Sequence, residues 1–113
     1  MVDSRVADLL RETAAEVVVP MFRHLTAPDV TEKAPGEVVT VADRRSEEMI
    51  SAGLTALLPG SVVVGEEGVA ADAAILERLR GEAPVWIVDP IDGTANYAAG
   101  REPYAIMVAL MRG

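Results

Sequence analysis

Helical and extended patterns interleave along this chain, an order that predicts an α/β or α+β fold. Three observations carry the prediction. Residues 4 to 25 place Val6, Leu9, Leu10, Ala14, Val17, Val18, Met21, Phe22 and Leu25 at the i, i+3, i+4, i+7 spacing of one buried helix face. Ile50, Leu54, Leu57 and Leu58 mark a second amphipathic helix from Asp43 to Leu58. Between and after the helices stand short apolar runs, "VVTVA", "SVVV", "VWIV" and "YAIMVALM", which read as strands.

Taken in order, Asp3 or Ser4 is the expected N-cap of the first helix, and Pro20 should kink or interrupt it near its end. His24 has no companion ligand and reads as a surface residue. Residues 26 to 37, "TAPDVTEKAPGE", hold two prolines and a glycine among charges and read as a loop. A short strand then runs into Asp43, and Pro59-Gly60 stops the second helix. "SVVVGEEG" is a strand ending in two glutamates, and a third helix over about 71 to 80 carries Ile75, Leu76 and Leu79 and closes at Gly81. The uninterrupted run in "PVWIVDP" suggests a strand covered on both faces, and residues 104 to 111 give a last apolar strand.

The totals narrow the possibilities. At 113 residues, half of them apolar and a quarter charged, the chain is one domain or a piece of one, with enough length to bury a core. Eighteen acids against ten bases give a net charge of −8, which argues against a nucleic-acid partner, because phosphate backbones are held by clustered Lys and Arg. Without cysteine there is neither a disulfide framework nor a thiolate metal site. No apolar run approaches the roughly 20 residues of a membrane span, and the charged N-terminus lacks a signal-peptide block. A cytoplasmic protein with no membrane partner is the expectation.

Acids cluster where strands end: Asp43, then Glu66 and Glu67, then Asp89 and Asp92. In one sheet, those ends would bring several carboxylates to one edge. Mg²⁺ takes such oxygen ligands, and two ions about 3.5–4 Å apart clamp both oxygens of an in-line phosphoryl displacement. Pro90 stiffens the turn between Asp89 and Asp92 and lets the Ile91 carbonyl point at the ions. Gly93 permits close backbone approach to a phosphate, and the Thr94 hydroxyl can orient water. Taken singly, these residues have ordinary structural readings: Asp-Pro and Asp-Gly are turn dipeptides, Asp43 is a helix N-cap, and Glu66-Glu67 is a solvated strand exit.

Together, "VVTVAD", "GEEG" and "WIVDPIDGTANY" resemble the inositol monophosphatase family of lithium-sensitive, Mg²⁺-dependent sugar-phosphate phosphatases. The short interval between Glu67 and Asp89 is similar to that of its compact inositol and histidinol phosphate branches. The resemblance implies the N-terminal half of a layered αβαβα fold, two long helices on a largely antiparallel sheet. Residues 1–113 would then form the metal- and phosphate-binding portion of the domain, with its C-terminal half absent. It implies two or three Mg²⁺ ions, with Glu66, Asp89 and the Ile91 carbonyl on the first and Asp89 and Asp92 on the second. Asp43, Glu66 and Thr94 would serve catalysis, and Asp92, Gly93 and Thr94 would receive the phosphate. Glu67 would stand behind the ligands, with Lys33 approaching from the preceding loop. Glu37 departs from the family, which usually has Asp there. The segment that supplies one more metal-binding Asp and most substrate contacts is missing before Gly113.

The expected activity is hydrolysis of inositol monophosphate or a related small sugar or polyol phosphate by metal-activated water, in a possible homodimer. Histidinol-phosphate, fructose-bisphosphate and nucleotide-bisphosphate phosphatases are alternatives within that class. Outside it stands a truncated half-domain, catalytically incompetent, that binds only cations or a partner and whose last strand forms an unprotected apolar edge. A purely structural cation module explains the acids but not the Gly93-Thr94 that follows them.

Overall fold

A computed structural model describes residues 2–35 and 37–111. The first helix begins as α1 (Val2–Thr13), so Asp3 and Ser4 lie inside it rather than capping it. A π-helical stretch, Ala14–Val18, follows, and a short α2 (Val19–Met21) ends the run before Leu25. Pro20 has no N–H to offer the carbonyl one turn back, so the ladder next to it is already broken. The Val19 N–H reaches Ala14 O instead, one residue further than an α-helix allows.

The expected loop after it is largely structured. A 3₁₀ turn, Ala27–Asp29, leads into β1 (Val30–Ala34), which pairs antiparallel with β2 (Glu37–Thr40). Thr31, Glu32 and Lys33 show no apolar alternation because the hairpin's buried side chains, Val39 and Thr40, lie on β2, and β1 is invisible to a hydrophobic pattern. The second helix, α3 (Val41–Leu57), starts two residues early. Its N-cap is Thr40, whose hydroxyl accepts from Asp43 N, while Asp43 sits at N3 and returns a carboxylate to Thr40 N. The expected N-cap role of Asp43 therefore passes to Thr40.

After β3 (Val62–Gly65) the chain turns directly into α4 (Glu66–Ala71), so the two glutamates open a helix rather than a solvated exit. The predicted third helix is a 3₁₀ segment, Ala73–Arg80, with Leu76 and Leu79 exposed; Gly81 closes it as expected, its N–H on Arg78 O. β4 (Val85–Asp92), α5 (Thr94–Ala98) and β5 (Ala105–Met111) complete the order. The main sheet runs β3-β4-β5, with β3 parallel to β4 and β5 antiparallel to it. β2 belongs to the separate hairpin, so the acid-bearing strands do not share one sheet. The architecture is α+β, with antiparallel partners in two of its three strand pairings.

α3 lies against β4, and α1 against α3. Ile50, Leu54, Val63, Trp86 and Val88 form the buried centre, flanked by Leu9, Leu10, Val108 and Leu110. Inside it the Trp86 indole N–H donates to Ser61 Oγ at 3.0 Å. The other face of the sheet is covered only in part: Val64 and Val85 are buried there, but Ile87 is 38% exposed, Met107 54% and Met111 48%. This corrects the expectation of a β4 covered on both sides. An all-apolar run does not say which of its two faces the rest of the chain covers. No helix among the described residues is long and apolar enough to cross a membrane.

Candidate active site

Asp89 and Asp92 stand three apart, and a regular strand would send them to opposite faces. The β4–β5 ladder prevents that. Asp89 pairs with Met107 and Asp92 with Ala105, so β4 carries one more residue than its partner between these pairs. Pro90 falls in this bulge, where its missing N–H costs no ladder bond. Gly93 follows in the left-handed region at φ 84°, and a Cβ there would meet Pro103 O at 2.9 Å. Only glycine turns the chain from β4 into α5 here without strain.

The parallel pairing of β3 with β4 aligns Gly65 with Val88. Glu66, the next residue of one chain segment, therefore comes up beside Asp89, the next residue of the other. Lys33 crosses from the hairpin, its Nζ 2.9 Å from Glu66 Oε1 and 3.4 Å from Glu67 Oε2. Burial works against its charge, but the two carboxylates prevail and hold its pKa above the ordinary lysine value. Burial pushes the Glu67 carboxyl up, against the opposing influence of Lys33.

Asp43 is fully buried, and both its oxygens are satisfied. Oδ2 accepts from Thr40 N and Thr40 Oγ1, both at 2.7 Å, and Oδ1 lies 3.0 Å from Thr94 Oγ1. The Thr94 hydroxyl is also 2.8 Å from Ile91 O, so its single proton is shared between the carboxylate and that carbonyl. α5 is anchored from behind by Tyr97, whose hydroxyl donates to Val18 O at 2.6 Å in the π-helical stretch. Phe22 and Tyr104 pack on the Tyr97 ring at 5.6 and 4.9 Å between centroids.

Glu66, Asp89, Ile91, Asp92, Gly93 and Thr94 line one cavity of about 290 Å³, with Lys33 and Glu37 on its wall as well. Asp43 stands behind Thr94, and Glu67 lies outside the lining. Among the described residues no three acids converge as a preformed metal cluster. The donor set nevertheless suits hard cations. Asp89 Oδ1 is buried without a hydrogen-bond partner. Desolvation, a hydrogen bond to the Glu66 carboxyl, and repulsion from Glu66, Asp92 and Asp43 push the Asp89 pKa up to about 7. Glu66, Asp89 and Asp92 crowd together more negative charge than Lys33 offsets, with one oxygen orphaned, and divalent ions would neutralise it.

One residue at this site escapes sequence reasoning. Glu47 accepts from the backbone N–H groups of Glu67 and Gly68, at 2.8 and 2.7 Å. Its pKa is raised by burial, which outweighs those two donors. Nothing in the pattern around Glu47 signals a partner twenty residues on, and only its place one turn beyond Asp43 on the same helix face gives a hint.

The site thus stands at a parallel strand pair with a bulged Asp-Pro-Ile-Asp-Gly-Thr exit. The model for the inositol monophosphatase family matches residues 3–113, and the chain belongs to that family. It is 33% identical over 95 residues to inositol monophosphatase 1 of Xenopus laevis, covering 84% of this chain and 32% of that protein. It is 34% identical over 108 residues to a histidinol-phosphatase of Chlorobaculum parvum, covering 96% of this chain and 39% of that protein. Among solved structures, an IMPase from Thermotoga maritima superposes with a TM-score of 0.74 at 28% identity, over 97% of this chain and 39% of the other. The suhB protein of Bartonella henselae gives 0.69 at 26% identity, over 95% and 39%. The chain thus spans about a third to two-fifths of the length of these relatives.

Proposed function

We propose that residues 1–113 are the metal- and phosphate-binding portion of a phosphomonoesterase that hydrolyses inositol monophosphate or a related small sugar or polyol phosphate. The juxtaposition of Glu66 and Asp89 across the parallel pair, with Asp89 Oδ1 lacking a donor, supports this reading most directly. Glu66, Asp89, Asp92 and the Ile91 carbonyl would hold two or three Mg²⁺ ions. Bound there, the ions neutralise phosphate charge and lower the pKa of water toward neutrality.

The chain's own residues do the positioning. Thr40 clamps Asp43 so that Oδ1 faces Thr94. With its O–H directed at Asp43 Oδ1, the Thr94 oxygen presents lone pairs to an attacking water and orients it toward phosphorus. As the water adds to phosphorus and the ester P–O bond breaks, one water proton passes to Thr94 Oγ1 while the Thr94 proton moves to Asp43 Oδ1. The alkoxide leaves as the alcohol after taking a proton from solvent. Glu66 contacts that water from the other side of the cavity. The backbone N–H groups of Gly93 and Thr94, at the start of α5, lack intrahelical partners and receive phosphate oxygens beside Asp92. Glu67 holds Lys33 at the rim. A cytoplasmic location and a homodimer belong to the same reading. Histidinol phosphate is the runner-up substrate, because relatives of both names match over comparable lengths.

A second reading is a portion that binds cations and phosphate but needs further residues for turnover. The open sheet face around Ile87, Met107 and Met111 favours it. Phosphate release from inositol 1-phosphate, histidinol phosphate and a panel of sugar phosphates, with and without Mg²⁺ and beside Asp89→Asn, separates the readings. Mg²⁺-dependent release lost in the variant supports the first. Mg²⁺ binding without release supports the second, and absence of both release and binding sinks the two together.

A further inference from the structure

Glu47 does more than occupy a half-buried place on α3. Its two carboxylate oxygens accept one N–H each, Oε1 from Glu67 and Oε2 from Gly68. These are consecutive amides in the first turn of α4, which is only six residues long. A helix so short does not hold itself in place, so its orientation comes from outside contacts. Pinning the Glu67 N–H fixes the peptide that leaves Glu66, and pinning the next amide fixes the turn that follows.

Gly65 makes the contact possible. Its φ is ordinary, but a Cβ there would collide with the Glu47 carboxyl carbon and both its oxygens. The end of β3 is therefore shaped around this side chain. Asp43, one turn earlier on the same face of α3, holds Thr94. One rigid helix thus carries both attachments, one to α5 and one to α4.

We propose that Glu47 is a positioning residue, which reaches from α3 to the β3–α4 junction and sets Glu66 beside Asp89, with Gly65 leaving the room it needs. The proposal rests on the metal-dependent phosphatase reading. Glu47 touches neither substrate nor ion, and acts through the backbone of α4.

The test uses the 113-residue chain with Mn²⁺ alone as the probe ion, at a temperature where circular dichroism shows each variant folded. Glu47→Gln leaves one oxygen to accept and turns an NH₂ toward the other amide. Hydrogen exchange at Glu67 and Gly68 should quicken, and Mn²⁺ affinity should fall roughly 10–100-fold, the usual effect of losing a support behind metal ligands. Gly65→Ala, which evicts the same carboxylate, should do likewise. The double variant should bind no worse than the weaker single one, because both break one contact. Glu47→Asp, a methylene short, substitutes if the Gln variant does not fold. Unchanged exchange at both amides overturns the proposal, as does faster exchange with unchanged Mn²⁺ affinity, since the cap would then be structural only. A wild-type chain that takes up no Mn²⁺ defeats the metal reading itself, and the positioning role falls with it.

Discussion

Asp43 and Asp89 are two carboxylates close to one site, and they are treated in opposite ways. Asp43 is fully buried, yet each of its oxygens has a donor, two from Thr40 and one from Thr94. Asp89 is only partly buried, but one oxygen has no partner and its neighbours are other carboxylates. Depth alone does not decide whether a carboxylate is at rest. The supply of donors does, and a carboxylate left without them is one kept for a ligand.

Four substitutions or conditions test that contrast. Asp43→Ala should have the largest effect on stability, on the order of 3 kcal/mol, because it removes a helix-capping acceptor and strands buried donors on Thr40. Chemical denaturation would measure it, and a loss under about 1 kcal/mol would show that the Thr40 and Thr94 contacts carry little. Thr94→Val should cost about 1–2 kcal/mol, the value of one hydrogen bond to a carboxylate, read in the same experiment. Its apo fold should survive while any Mg²⁺-dependent phosphate release is lost.

Asp89 predicts the reverse behaviour. Its folded-state pKa, about 7, lies above its ordinary value of 3.8. The folded chain therefore holds a proton that the unfolded chain releases. Its contribution to stability is complete below about pH 4 and disappears as pH rises through 7. Denaturation midpoints should fall between pH 5 and 8 in the wild type, and fall less in Asp89→Asn. Mg²⁺ added at pH 8 should recover the wild-type midpoint and leave the variant's unchanged. The smallest expected effect is on Asp89→Asn without metal at pH 7.5, which should be as stable as the wild type or slightly more so, since it removes a crowded charge. A clear loss there would mean that Asp89 has an unrecognised donor.

The legible part of the site is its contiguous part. Asp89, Asp92, Gly93 and Thr94 are covalent neighbours, so their proximity needs no fold to establish it. The approach of Glu66 to Asp89 depends on a parallel pairing, for which the apolar runs of β3 and β4 are a fair sign but not a register. The bulge that puts Asp89 and Asp92 on one side has Pro90 as its only mark. Two things were illegible. β1 has no periodicity because the hairpin's buried side chains, Val39 and Thr40, come from β2, and Glu47 acts on backbone groups, which carry no residue identity. The two long helices were readable from spacing, but their starts were not, because Thr40 competes with Asp43 for the cap and α1 begins before the first polar residue that suits one.

Trp86 is the chain's only tryptophan, and it is 2% exposed. It lies on the same strand as Asp89, two register positions from Val88, with its indole tied to Ser61. The molecule thereby carries an optical gauge at the base of its own site. Fluorescence from a single fixed indole reports the integrity of the α3–β4 interface without any added label. A cation drawn to Asp89 would be read three positions along a rigid strand, in an indole signal that excitation beyond tyrosine absorption separates from Tyr97 and Tyr104.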